Sequence, residues 1–305
     1  MPSPALTTAG PARLLARPRL LAVLCIAVLA AAGWIELGLM VAEHAGSLRD
    51  LGPGMQILDP ALWGSDLARA LLDALCRPEF GGAHSGRAGS WVAELALAAV
   101  MWCAMALAMM MPTAAPMILT YAEIAETGAA KGEAVPSPLW LAGGYLAVWL
   151  GFALGAAMLQ FAATRAAVLN ASLTAASGLF SGAVFIAAGA YQFSALKHAC
   201  VTLCQRPFPF FFANWTTRRT GVFRLGLRQG TYCLGCCWAM MLVMFAVGVM
   251  NVVWMAALGV VMTIEKAATS TRFSRAVGVL FLLIGLVFIV SAVAAHWPAR
   301  AGQSS

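Results

Sequence analysis

The chain has 305 residues, of which 62% are apolar and only 10% charged. Soluble domains carry roughly 25% charged and 45–50% apolar residues, so an ordinary soluble enzyme is excluded, and so little charge also argues against disorder. What is left is an all-α, polytopic bundle of transmembrane helices. The net charge of +7 sits mostly in short loops, where basic residues set orientation and do not point to nucleic acid.

Seven apolar spans are predicted. The first, Leu20–Ala42, follows Arg13, Arg17 and Arg19 and contains the small-residue run Ala30-Ala31-Ala32. Its apolar stretch continues well past that run, which reads as a retained anchor and not a signal peptide. The second, Trp91–Met111, is expected to stop or kink at Pro112; the third is Leu139–Phe161 and the fourth Leu173–Phe193. Thr231–Glu265 is one apolar stretch of 35 residues. As a single helix it would be roughly 52 Å long, against a bilayer core of about 30 Å. A hairpin of two short spans turning at Gly248-Val249-Met250-Asn251 is the alternative. The last span is Ala276–His296.

Charge counting favours the hairpin. With it, the segments 1–19, 121–138, 194–230 and 266–275 lie inside and hold 13 Lys/Arg, against 6 outside; with one long helix the split is 11 to 8. The positive-inside rule prefers the first arrangement. The predicted organisation is a cytoplasmic segment 1–19, a single transmembrane domain 20–297 and a disordered tail 298–305, with segment 1–12 also disordered. The domain carries an outward loop 43–90 and a basic cytoplasmic loop 194–230. The outward loop holds six acids and an amphipathic run from Leu62-Trp63 to Leu75, suited to lying on the outer surface. The chain is expected in the cell membrane, multi-pass, with its N-terminus cytoplasmic and its C-terminus outside.

Five of the eight cysteines fall in a tight pattern: Cys200 and Cys204, spaced C-x3-C, and Cys233, Cys236 and Cys237, spaced C-x2-C-C. Residues i, i+3 and i+4 share one helix face, so each group aims its sulfurs in one direction. The predicted topology puts both at the cytoplasmic end, the second group in the first turns of the fifth span. That compartment is reducing and disfavours structural disulfides. Lys197, Arg206, Arg224 and Arg228 nearby would favour thiolates, and thiolate-rich sites select copper(I) or zinc. Thiol redox chemistry and simple packing of small apolar residues are the competing readings. Cys25, Cys76 and Cys103 stand alone and read as packing residues; His198, two residues from Cys200, reads as an interfacial polar residue.

The second span repeats methionine at Met101, Met105 and Met109, with Met110, Met111 and Met117 beyond, and the fifth adds Met240, Met241 and Met244. The i, i+4, i+8 spacing stacks thioethers on one face. Thioethers suit copper(I) and suit zinc poorly, so Met105, Met109, Met110 and Met241 join the cysteines as candidate ligands. Methionine also fills irregular gaps between helices. Glu36 and Glu94 are ionisable groups within spans and are therefore functional candidates, with Arg165 as a partner for Glu36. Gln160, Gln192 and Asn251 are expected to hydrogen-bond between helices. Pro207–Trp215 is too short to span, and its aromatics suit the headgroup level. No Walker loop, no Ser/His/Asp set and no phosphorylation-type Asp motif is present, so an ATP-driven pump is not supported.

The stretch Gly226-Leu227-Arg228-Gln229-Gly230-Thr231-Tyr232-Cys233-Leu234-Gly235-Cys236-Cys237-Trp238-Ala239-Met240-Met241 resembles the signature of a bacterial family of predicted metal-binding integral membrane proteins. Ala108–Met117 and Tyr191–Lys197 agree with it, and the resemblance covers roughly Trp91 to Lys266. It implies a copper-chaperone-like role in the bacterial inner membrane, supplying a tyrosinase-like enzyme or other copper oxidase. It also implies ligands at Cys233, Cys236, Cys237 and Met109–Met111. The expected function is thus non-enzymatic copper(I) handling, with zinc as a possible metal. The alternatives are a membrane thiol-disulfide oxidoreductase using Cys233 and Cys236, or a structural subunit of a membrane complex.

Overall fold

The structure, a computed structural model, describes residues 18–43, 53, 55, 91–169, 177–268 and 270–301. The expected segment 1–12, Cys76, and the amphipathic run in the outward loop lie outside the described residues. Every regular element among the described residues is a helix: α1 (Pro18–Glu43), α2 (Trp91–Ala130), α3 (Pro138–Arg165), α4 (Gly178–Tyr191), α5 (Ala195–Gln205), α6 (Pro207–Ala213), α7 (Arg219–Leu242), α8 (Met244–Val247), α9 (Val252–Ala267) and α10 (Thr271–Ala301).

Five of these, α1, α2, α3, the α7–α8 run and α10, are each long and apolar enough to cross a membrane. Helices α4 and α5 qualify only as a pair bent by 64°. Helix α9 has 16 residues, about 24 Å of rise, short of the roughly 30 Å bilayer core. The bundle is therefore all-α and polytopic, although two of the seven expected spans are a broken pair and a short helix.

Helix α2 runs unbroken for 40 residues through Pro112 and Pro116, where a stop or kink was expected. Close packing by neighbours lets membrane helices tolerate proline. Here Gly33 of α1 sits so near that an added Cβ would lie 2.6 Å from both Ala104 O and Ala108 N, one turn before Pro112. Helix α7 begins at Arg219, twelve residues earlier than the predicted span, and segment 194–230 is largely helical instead of a basic loop. The charges concealed a stripe: Val222, Leu225, Gly226, Gln229 and Gly230 are buried at i, i+3, i+4, i+7 and i+8, while Arg219, Arg224 and Arg228 point outward. The stripe packs on α3 with the backbones nearly touching. A Cβ on Gly226 would collide with Leu141 O and lie 3.0 Å from Gly144 Cα, the close approach that small residues permit in membrane helix pairs. Helix α10 continues past Pro298 to Ala301, into the expected tail.

The chain reverses after α8 at Gly248–Asn251. Gly248 has φ +107°, a conformation that favours glycine. Asn251 caps α9, its Oδ1 accepting from Trp254 N at 3.1 Å, and its Nδ2 donates to Pro53 O at 2.9 Å. The return brings Lys266 Nζ to 2.9 Å from Cys233 Sγ, 33 positions away in sequence. One long helix could not do this, so the hairpin reading holds.

Buried polar groups tie the helices. Trp102 Nε1 donates to Gln160 Oε1 at 2.7 Å. Lys197 of α5 pairs with Glu265 of α9 at 2.8 Å with side chains 0% and 2% exposed. Gln192, expected to bond across helices, sits at the α4–α5 bend against Gly278 with neither amide atom paired. Arg165 pairs at 2.8 Å with Glu94 and not with Glu36; both side chains are half exposed, where such pairs contribute little. Of the α6 aromatics, Phe208 and Phe212 face outward, while Phe210 and Phe211 pack inward on Tyr232 and Tyr121.

Two outcomes follow for stability in detergent. Gly226→Leu should lower it by about 1–3 kcal/mol or more through overpacking. Gly151→Leu, where an added Cβ meets nothing within 4 Å, should leave the thermal unfolding curve in place. Lys197→Met leaves Glu265 buried without its cation and should cost about 3–5 kcal/mol, most of it recovered when Glu265→Leu is added. Equal melting temperatures for the single and double variants would contradict that reading.

Candidate metal centre

The site is built on α7. Cys233, Cys236 and Cys237 occupy i, i+3 and i+4, and their sulfurs all lie within 4.8 Å of one another. Cys236 Sγ is 3.3 Å from Cys237 Sγ and donates to Cys233 O at 3.1 Å. The three residues are 2%, 2% and 1% exposed. Three sulfurs around one ion at a metal–sulfur distance near 2.3 Å stand about 4.0 Å apart, so shifts of under an ångström would make this trio a three-sulfur cradle. Cys233 lies fourteen residues past Arg219, about 21 Å along the helix. The trio is therefore in the second half of α7 and not in its first turns. Met109–Met111 likewise sit halfway along α2 and not near its end.

Three other helices complete the surroundings. Lys266 of α9 is buried, and its Nζ donates to Cys233 Sγ at 2.9 Å and to Thr113 Oγ1 of α2 at 2.6 Å. Thr113 Oγ1 donates to Met110 O at 2.9 Å and lies 3.9 Å from Met110 Sδ. Tyr145 of α3 places its hydroxyl 3.0 Å from Cys233 Sγ and donates to Met110 O at 3.1 Å. Cys233 is thus held from three sides, and its only contacting cation among the described residues is Lys266. That cation is not one of those expected. Lys197 is neutralised by Glu265. Arg228 is exposed, donating to Asn214 Oδ1 at 2.8 Å beside the Phe210 ring, and Arg206 and Arg224 are exposed. A buried ammonium against a sulfur balances the negative charge that deprotonated thiols bring out of water. A monovalent ion bound there would leave three thiolates with two excess negative charges, of which Lys266 would offset one.

The two expected thiol groups do meet, unequally. Cys204 is half buried and borders a small cavity together with Cys233. Cys200, 8% exposed, packs on the backbone of α7, where a Cβ on Gly235 would lie 2.6 Å from its sulfur. Gly235, inside the cysteine motif, is therefore what lets α5 close on α7. Tyr191 strengthens this contact by donating to Gly235 O. Helix α5 is clamped on α9 by the Lys197 pair and by Gln205 Nε2, which donates to Glu265 O at 2.8 Å and Ala268 O at 2.5 Å.

Met105, Met109, Met110 and Met241 are all buried in the same core. Met110 is linked to Cys233 through both Tyr145 and Thr113–Lys266, and Met109 faces α9 at Gly259. Glu36 is half buried on α1, away from its expected partner, and Glu94 is exposed in its pair with Arg165. His198 is half buried, as are the single cysteines Cys25 and Cys103.

Sequence reasoning missed Lys266, Thr113 and Tyr145. A signal existed for the first: Lys266 directly follows the apolar run ending at Glu265, and an ionisable residue at a span is a functional candidate. It was counted as a loop charge. Nothing local marks Thr113 or Tyr145, whose roles arise from which helices pack together.

No curated protein and no solved structure matches the chain. Residues 99–288 match a family described as a copper chaperone, PpoB2. The matched region reaches from α2 into α10, beyond the expected limit at Lys266, and takes in every cysteine and lysine of the site. With more than half of its length matched, the chain belongs to the PpoB2 copper chaperone family.

Proposed function

We propose that the chain is a multi-pass protein of the cell membrane that carries copper(I) on Cys233, Cys236 and Cys237 and delivers it to a copper enzyme. The observation that carries this reading is the buried trio of free thiols with the Lys266 ammonium against it. Soft thiolate donors in a water-poor core suit copper(I), and the family supports copper over zinc. Nothing in the donor set calls for a catalytic step; the role is holding and passing an ion. The buried methionines of α2 and α7 offer further soft donors along the core, Met110 being the best connected to the trio. Partner enzymes of the copper oxidase or tyrosinase-like type are part of the proposal, as are an inward N-terminus and an outward C-terminus. Lys197 and Lys266 are buried in protein. Removing them from the inward total of 13 basic residues leaves 11, still against 6 outside, so the positive-inside argument keeps its direction.

Protein purified anaerobically after growth with added copper should hold about one copper per chain and little zinc, as soft sulfur donors select. The Cys233/Cys236/Cys237→Ser variant should hold none. Equal copper in both would remove the trio from the function, and mixed disulfides trapped at Cys236 in place of bound copper would favour the oxidoreductase reading. Lys266→Met should weaken copper(I) binding by roughly 10–100-fold, the usual effect of losing a partner behind a metal ligand, with Lys266→Arg in between. Competition against a coloured copper(I) chelator reads this directly, and unchanged affinity in Lys266→Met would rule out the charge-balancing role.

A further inference from the structure

The trio is too deeply buried to take an ion straight from a soluble donor, with each of its residues 2% exposed or less. Beside it lies a small cavity of about 20 Å³, bordered by Cys204, Met117, Tyr145, Gln229, Cys233 and Lys266. A space of that size holds roughly one water-sized occupant. Its wall contains a buried polar atom without a partner, Gln229 Nε2, although buried donors are paired in the great majority of cases. The cavity therefore has a polar wall, room for a single small species, and sulfur on two helices besides α7. Cys204 borders it from α5, Met117 from α2, and Cys233 from α7.

Cys204 differs from the trio in one decisive respect. It is half buried while they are enclosed. Its helix position is fixed from α9 by Gln205, the next residue, so its sulfur is held at the cavity and does not sweep through solvent. Cys200, one turn earlier, is occupied against Gly235 and does not border the cavity among its described walls.

Building on the copper-carrier reading, we propose that Cys204 and Met117 form a receiving site, separate in role from the resident trio, through which copper(I) passes to Cys233. The step is ligand exchange with no change of oxidation state. The donor presents the ion on two thiolates. Cys204 and Met117 bind it as those two bonds break, and the Cys204 proton leaves on the first donor thiolate. The copper bond to Met117 breaks as the bond to Cys233 forms; Cys233, which accepts from the Lys266 ammonium, reacts as the thiolate and has no proton to shed. The copper bond to Cys204 then breaks as the bond to Cys236 forms, and the Cys236 proton passes to Cys204. Cys237 completes the three-sulfur shell, its proton leaving on the second donor thiolate. Both donor thiolates thus depart as thiols, and Cys204 is restored for the next ion.

The test is the rate of loading of the full chain in detergent, without oxygen, from a copper(I)–glutathione complex, followed by stopped flow and finished by a metal count. Cys204→Ser should slow loading by roughly tenfold or more, the scale on which lost metal-site groups act, yet reach the wild-type copper content. Cys204→Met, which restores a soft donor, should recover most of the rate, and Cys200→Ser should load like wild type. Met117→Leu should slow loading with the same end point. Should Cys204→Ser fail to fold, the Cys204→Met and Met117→Leu rates decide. Wild-type rates in Cys204→Ser would overturn the receiving site, and so would a lowered final copper content, which would make Cys204 a resident ligand. If the wild-type chain takes up no copper at all, the carrier reading itself falls and this proposal falls with it; if it loads normally while the variants match its rate, only the receiving site is lost.

Discussion

Lys266 and Cys233 meet inside the bundle, ammonium to sulfur at 2.9 Å, and the arrangement of the molecule around them follows from that contact. A buried cation is costly unless paired, so α9 must turn back against α2 and bring its Lys266 end to α7. The return requires the reversal at Gly248 and the cap at Asn251. It also requires α5 to close over the seam, which the neighbouring Lys197–Glu265 pair and the absence of a side chain at Gly235 make possible. Two adjacent residues on α9, Glu265 and Lys266, thus bind three helices, α5 through Glu265 and α7 and α2 through Lys266, and between them they fix where the thiols lie.

The same contact joins stability to function. In an apolar core a cluster of thiolates would be strongly disfavoured without a counter-charge. The protein places one cation there on a short lead and holds it with Thr113, which is itself tied to Met110. Tyr145 closes the remaining side of Cys233 and reports on the same Met110 carbonyl. The thiol trio and the methionine-rich face of α2 are therefore mechanically linked. A change of occupancy at Cys233 would be felt by Met110 through two routes.

The class of fold was legible because composition excludes so much: with charge this scarce, helices that satisfy their own backbone groups are the available spanning structures. The three-thiol cluster was legible because i, i+3, i+4 spacing fixes a shared face whatever the tertiary structure. Register along the helices was not. The arginines before Thr231 suggested a loop, while the buried stripe Val222–Gly230 among them made a helix, since side chains can point outward from a turn whose other face is packed. Pro112 suggested a break, but α2 runs on through it with α1 packed closely one turn earlier at Gly33. The pairing of Arg165 was assigned to Glu36 from assumed depth alone, whereas the packing of α2 on α3 delivers Glu94. Lys266 was hidden for a related reason. Seen along the chain it is a basic residue at the end of a span; only the fold of the hairpin shows that it points inward.

The central claim is that copper(I) is held by Cys233, Cys236 and Cys237. X-ray absorption at the copper edge on the loaded chain tests it most directly. The account predicts copper(I) with an all-sulfur shell of about three donors near 2.3 Å, the usual range for metal–thiolate bonds, lost when the three cysteines are replaced by serine. A shell of nitrogen or oxygen donors, or a sulfur shell that survives that replacement, would contradict it.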